Sequence, residues 1–229
     1  MSLPTPIDVQ ASLQTFSDGS YACEHRGLTL WKHQDDLDRL AAILDATKPT
    51  VVVETGTRWG GTAVWLADRG VDVITVDSDS PEVSEAARGL SDRVTYVQGD
   101  SVAPETVAEV RQLVRRRRTM VILDSEHAAP HVAQEIALYG PLVSPGCYLL
   151  VEDAIFDLAT DPRLKSRGGF RIPAEGGPMV AIEQELASND LWKRDTEIEA
   201  LTPISHNPAG WWVKQGKRKG APAGKAETP

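Results

Sequence analysis

The stretch Thr50-Val51-Val52-Val53-Glu54-Thr55-Gly56-Thr57-Arg58-Trp59-Gly60-Gly61 decides how this chain folds. Consecutive valines favour extended backbone, and a run that is apolar at every position marks a strand covered on both faces. The glycines behind it permit a sharp turn and close approach of backbone to a neighbour. Residues 62–69 then read as a helix stopped by Gly70. A doubly buried strand, a glycine turn and a helix make the opening half of a βαβ unit.

The same rhythm runs outward in both directions. Strands are expected at 50–54, 71–77, 94–99, 119–124 and 147–153, and helices at 35–46, 62–69, 81–89, 104–114 and 131–143. Alternation of this kind predicts an α/β fold with a doubly wound, Rossmann-like, mostly parallel sheet. A further helix is expected at 178–187, and the segments 196–201 and 211–213 would add a closing antiparallel pair. Residues 1–30 show no clean period and read as an arm or lid over a domain spanning 31–213; 154–176 reads as a substrate-side loop. Residues 214–229 read as a disordered basic tail.

With 229 residues, 41% hydrophobic and 25% charged, the chain has the composition of a globular protein large enough for a sizeable core. A net charge of −9, borne mainly by the body because Lys214, Lys217, Arg218, Lys219 and Lys225 crowd the tail, argues against nucleic acid as a partner. Arg115 to Arg118 follow a predicted helix, where cations suit the negative end of the dipole, and read as a solvated face. Two cysteines, Cys23 and Cys147, form no disulfide framework, so a cytoplasmic location is expected. The first residues do not read as a signal peptide, and no apolar run reaches membrane-spanning length. A homo-oligomer is the expected assembly.

Three acids stand at the ends of two predicted strands: Asp124 after Thr119-Met120-Val121-Ile122-Leu123, and Glu152-Asp153 after Cys147-Tyr148-Leu149-Leu150-Val151. In an open α/β sheet those ends border the ligand crevice, and carboxylates gathered there suit a hard divalent cation, Mg²⁺ or Mn²⁺. The dinucleotide pattern Gly-x-Gly-x-x-Gly fails because Arg58 occupies its second glycine position, which counts against a nicotinamide oxidoreductase. Asp77 ends the second strand about 20 residues on, where an acid can accept from ribose hydroxyls. Asp124 could instead cap the helix after it.

The pattern Glu54-x-Gly56-x-x-x-Gly60-Gly61 resembles the first motif of class I methyltransferases, which bind S-adenosylmethionine. That resemblance implies cofactor contacts from Glu54, Gly56, Thr57, Gly60, Gly61 and Asp77, and from Asp100, Ser101 and Asp124 at later strand ends. The acids resemble those of catechol-type metal-dependent O-methyltransferases, with Asp124, Glu152 and Asp153 as ligands. More narrowly, Val53-Glu54-Thr55-Gly56, Ile122-Leu123-Asp124-Ser125-Glu126-His127, Tyr139-Gly140-Pro141-Leu142-Val143 and Leu150-Val151-Glu152-Asp153 resemble the cephalosporin hydroxylase and rhamnosyl O-methyltransferase family, over residues 30–213. This implies methylation of a sugar hydroxyl on a glycoside or oligosaccharide, with a catechol-like phenol as the alternative acceptor. His127, three residues after Asp124, stands where catechol-type enzymes carry their general base, and an imidazole suits that role near neutrality. His131 competes for it, or is a first-turn helix residue four before Glu135. Tyr21, Trp31 and His33 could stack on a sugar or pack the arm, and Arg163, Lys165, Arg167 and Arg171 could hold acceptor groups or solubilise their loop.

Overall fold

The computed structural model describes residues 3–78, 85–161, 163–164 and 172–216. Its centre is a seven-stranded sheet in the order β5-β4-β3-β6-β7-β9-β8. The strands are β3 (Val51–Thr55), β4 (Asp72–Asp77), β5 (Val94–Gln98), β6 (Thr119–Leu123), β7 (Tyr148–Val151), β8 (Trp192–Arg194) and β9 (Trp211–Lys214). β3 to β7 pair in parallel, while β9 runs antiparallel to both β7 and β8.

Successive side chains of a strand face opposite sides of its sheet. Val51 and Val53 accordingly join one buried cluster with Val107, Val110 and Val114 of α5 (Pro104–Val114) and with Val132, Ile136 and Tyr139 of α6 (Ala129–Tyr139). Val52, between them, joins the opposite cluster with Leu37, Leu40 and Ile43 of α2 (Gln34–Thr47) and with Leu66 of α3 (Gly61–Ala67). The three valines are fully buried because helices cover both faces. The chain runs from β3 outward to β5, then returns to β6 on the other side of β3. Where strand order reverses, the loops part and leave a crevice at the carboxyl ends of β3 and β6.

Two regions depart from the sequence reading. The alternating segment 196–201 is not a strand: Thr196–Glu199 forms a short helix, α8, because the Asp195 carboxylate accepts from the backbone N–H groups of Glu197 and Ile198, both at 3.1 Å. The antiparallel partner of β9 is Trp192–Arg194 instead. The segment 1–30 has regular structure among its described residues: α1 (Val9–Asp18), capped by Asp8, then a hairpin of β1 (Cys23–His25) and β2 (Leu28–Leu30). α1 is anchored by Phe16, which packs with Phe156 at 4.8 Å between ring centroids.

Of the helix expected at 81–89, Glu85–Arg88 (α4) is helical and 79–84 lie outside the described residues, as do Lys165, Arg167, Arg171 and the tail from 217. The remaining helix, α7 (Pro178–Glu185), starts where the Asp157 carboxylate accepts from Gly177 and Met179 N–H groups at 2.7 and 2.8 Å.

Candidate active site

A cleft of about 790 Å³ opens at the carboxyl ends of β3, β4 and β6. The glycine turn forms one wall. Gly56 has φ +85°, and a Cβ there would lie 1.9 Å from the Asp124 carbonyl oxygen, so only glycine lets the turn cross the end of β6. Gly60 is also left-handed, and a Cβ on Gly61 would lie 2.4 Å from the Thr29 carbonyl of the hairpin. The Asp77 carboxylate accepts from the N–H groups of Thr57 and Arg58 at 2.9 and 2.8 Å, tying the turn to the end of β4. Thr75 donates to Glu54 Oε2 at 2.7 Å, which leaves the Thr57 hydroxyl to donate to Thr75. Burial pushes the Glu54 carboxyl up to about 7, and its Oε1 has no hydrogen-bond partner among the described residues.

Gly56, Thr57, Gly61 and Asp77 line the cleft, as do Asp100 and Ser101 beyond β5; Glu54 and Gly60 stand behind its surface. Ser101 Oγ lies 3.0 Å from His131 Nε2. His131 also reaches Glu135 at 3.7 Å, and its interaction with that buried carboxylate raises its pKa above the usual histidine value. His131 is therefore held on the Ser101 side of the cleft, by Ser101, by Ser125 at 3.3 Å and by Glu135 of its own helix.

Two of the three strand-end acids, Asp124 and Asp153, meet on the opposite wall with His127, while Glu152 lies outside the cleft lining. Asp124, His127 and Asp153 each offer a ligating atom within 4.8 Å of the others, and His127 Nε2 is 3.4 Å from Asp153 Oδ2. Asp153 has φ +61°, and its N–H donates to Asn207 Oδ1 at 2.8 Å, a contact that aims the residue back over the sheet edge. Burial raises its carboxyl to about 6, against the opposing pull of His127. Glu152 is more deeply placed: burial raises its carboxyl well above the ordinary range, and its Oε1 is a buried oxygen without a hydrogen-bond partner among the described residues.

The residue that joins these acids is one that sequence reasoning passed over. Lys32, just beyond the hairpin, is buried and donates to Asp124 Oδ2 at 2.8 Å and to Glu152 Oε2 at 2.5 Å. Burial alone would lower its pKa, but the charges of Asp124, Glu152 and Glu54 outweigh that and hold it well above the ordinary lysine value. A lone lysine after a short apolar strand carries no pattern that could have marked it.

Aromatic side chains roof the cleft between the acids and the turn. Trp31 and Trp59 meet edge to face at 5.0 Å, and the Arg58 guanidinium sits 5.0 Å from one ring and 5.2 Å from the other. Tyr21 meets Trp31 edge-on at 6.3 Å.

A family model for Rhamnosyl O-methyltransferase/CmcI matches residues 18–215. The chain belongs to this family. Its members are S-adenosylmethionine-dependent O-methyltransferases, and so is this protein. A rhamnosyl O-methyltransferase of Mycobacterium tuberculosis and Mycobacterium bovis is 32% identical over 200 residues, covering 83% of this chain and 77% of the relative. A cmcI structure with Mg and SAM superposes with a TM-score of 0.60 at 19% identity, over 85% of this chain and 77% of that one. MycE from the mycinamycin pathway, in complex with Mg, SAH and mycinamycin VI, gives 0.53 at 20% identity, over 83% of this chain and 52% of MycE. At such identities the structural matches establish the fold, including the antiparallel pair that closes the sheet.

Proposed function

We propose that this methyltransferase transfers a methyl group to a sugar hydroxyl of a glycoside or oligosaccharide, assisted by a divalent cation. The observation that carries the acceptor class is the 32% identity, across most of both chains, to enzymes named for rhamnosyl methylation. The aromatic roof of Trp31, Trp59 and Tyr21 supports it, since such rings offer an apolar face to the C–H side of a sugar.

The donor set fits a hard cation: Asp124 and Asp153 with His127 beside them, and in Glu152 a buried oxygen that lacks a partner. Asp124, Glu152 and Asp153 would hold Mg²⁺ or Mn²⁺, whose chemistry there is that of a Lewis acid toward an acceptor hydroxyl. Bound S-adenosylmethionine supplies an electrophilic sulfonium methyl. Gly56, Thr57 and Gly61, backed by Glu54 and Gly60, would hold its amino-acid end, Asp77 would take the ribose, and Asp100 and Ser101 would hold the adenine.

His127 takes the proton from the acceptor hydroxyl at Nε2, and Asp153, 3.4 Å away, steadies the imidazolium that results. The remaining work is alignment: the turn is pinned by Asp77 and by its contact with Asp124, so donor and acceptor walls are parts of one rigid piece. The test is an acceptor panel with labelled S-adenosylmethionine, with and without chelator. Rhamnosyl and related glycosides should be labelled in a chelator-sensitive way. Labelling of catechols but of no glycoside would overturn the acceptor class, and full activity after thorough chelation would overturn the cation.

A further inference from the structure

Two of the three strand-end acids do not face the cleft as free carboxylates. Lys32 Nζ takes Oδ2 of Asp124 and Oε2 of Glu152, one oxygen from each, and the lysine itself is 2% exposed. A buried ammonium is costly unless it is paired, and here the pairing runs between segments far apart in sequence: the end of the hairpin, the end of β6 and the end of β7. Stability alone would be served at less desolvation cost by apolar residues in place of the whole lysine–carboxylate group, whereas the acids once present need the cation. Its presence asks for a role in what the acids bind.

Charge supplies one. Asp124, Glu152 and Asp153 carry three negative charges when ionised, and the Lys32 ammonium cancels one, leaving two. We propose that Lys32 is a positioning residue of the metal site, which orients Asp124 and Glu152 through one oxygen each and trims three carboxylates to a net charge matched to a divalent ion. This rests on the reading of the acids as a cation site. It makes the amino-terminal hairpin part of that site, since Lys32 lies two residues after the end of β2 and the hairpin is seated against Gly61 at the start of α3.

Charge matching differs from mere support in what it does to ions of different valence. A purely structural loss weakens all cations together. Removing a positive charge that touches two of the ligands favours a trivalent over a divalent cation by one extra unit-charge interaction, about fivefold with the screening of bulk water at a separation of about 4 Å and about tenfold or more at a buried site, where screening is weaker. The experiment is titration of the full chain with Mn²⁺ and with Tb³⁺, for the wild type, Lys32→Met and Lys32→Arg. Lys32→Met should raise the ratio of Tb³⁺ to Mn²⁺ affinity by about tenfold or more, while Lys32→Arg, which keeps the charge, should stay within about threefold of the wild type. Lys32→Gln carries the same expectation as Lys32→Met should the methionine variant not fold. An unchanged ratio in a neutral variant of a wild type that does bind Mn²⁺ overturns the role of Lys32 alone. A wild type that binds neither ion overturns the cation site, and this inference with it.

Discussion

Replacing Gly56 by alanine tests the join between the two walls of the cleft. Two separable costs attach to that methyl group. The first is backbone strain, because φ is +85° and an L-residue there loses about 1 kcal/mol. The second is collision: the new Cβ would lie 1.9 Å from the Asp124 carbonyl oxygen and 2.6 Å from its carbon, both backbone atoms that cannot rotate aside. Relief requires the turn and the end of β6 to separate by more than an ångström, a small-to-large change of the kind that costs about 1–3 kcal/mol. Gly70 supplies the control, since it has the same φ of +85° and a methyl group there would meet nothing within 4 Å. Gly70→Ala should therefore cost about 1 kcal/mol and Gly56→Ala about 2–4 kcal/mol. Urea unfolding followed by tryptophan fluorescence reads the difference. Binding of S-adenosylmethionine, measured by calorimetry, should survive in Gly70→Ala and fall sharply in Gly56→Ala. If the two variants are equally stable and bind the cofactor equally well, the turn does not depend on its contact with Asp124 and the reasoning fails.

Two further outcomes are expected. His127→Ala should lower kcat by about 10²–10⁴-fold with Mn²⁺ affinity little changed; loss of the ion instead would make His127 a ligand, a role its place beside Asp124 and Asp153 also permits. Glu54→Gln should become progressively more stabilising, relative to wild type, as pH rises from 5.5 to 8 without metal. The folded-state carboxyl sits near 7 and the unfolded one near the ordinary glutamate value, so the folded wild type prefers the protonated form and loses stability as pH climbs through 7, whereas glutamine has no proton to lose. Urea melts at the two pH values check this, and the buried His206, depressed to about 3, contributes equally to both proteins and cancels. A stability difference that stays flat with pH would mean Glu54 titrates alike in both states.

The parallel core was legible because its signal is local. Val51-Val52-Val53, Met120-Val121-Ile122-Leu123 and Leu149-Leu150-Val151 are apolar at every position, and the structure buries each run on both faces. The closing pair was half legible. Trp211-Trp212-Val213 reads as a strand and is one, but alternation at 196–201 misled, since a period of two over six residues is weak beside a single good cap. Asp195 followed by Thr-Glu carries that cap in the sequence, and its carboxylate also accepts from the Tyr148 hydroxyl at 2.5 Å, a tertiary contact no local pattern records. The amino-terminal helix was missed for a related reason: its buried residues are Ser12, Thr15 and Phe16, so its inner face is largely polar and shows no apolar stripe.

At the site, the acids could be read because a carboxylate ending a doubly buried strand is conspicuous in sequence. What holds them could not, because the holding is done across the fold. Asp36 and Arg39 of α2 look like ordinary solvent-facing charges, yet both are buried, and Arg39 donates to the carbonyls of Ile198, Glu199, Thr202 and Ile204. Asp36 accepts from Ser205 Oγ and from the His206 N–H, so together they fix the segment that delivers Asn207 to Asp153. Lys32 follows the same logic from the hairpin side. Each of these residues is a long or charged side chain whose meaning depends on a partner more than 100 residues away, and helical or strand periodicity carries no information at that range. The acids thus stand out in the sequence, while the cations and amides that aim them become visible only once the chain has closed around them.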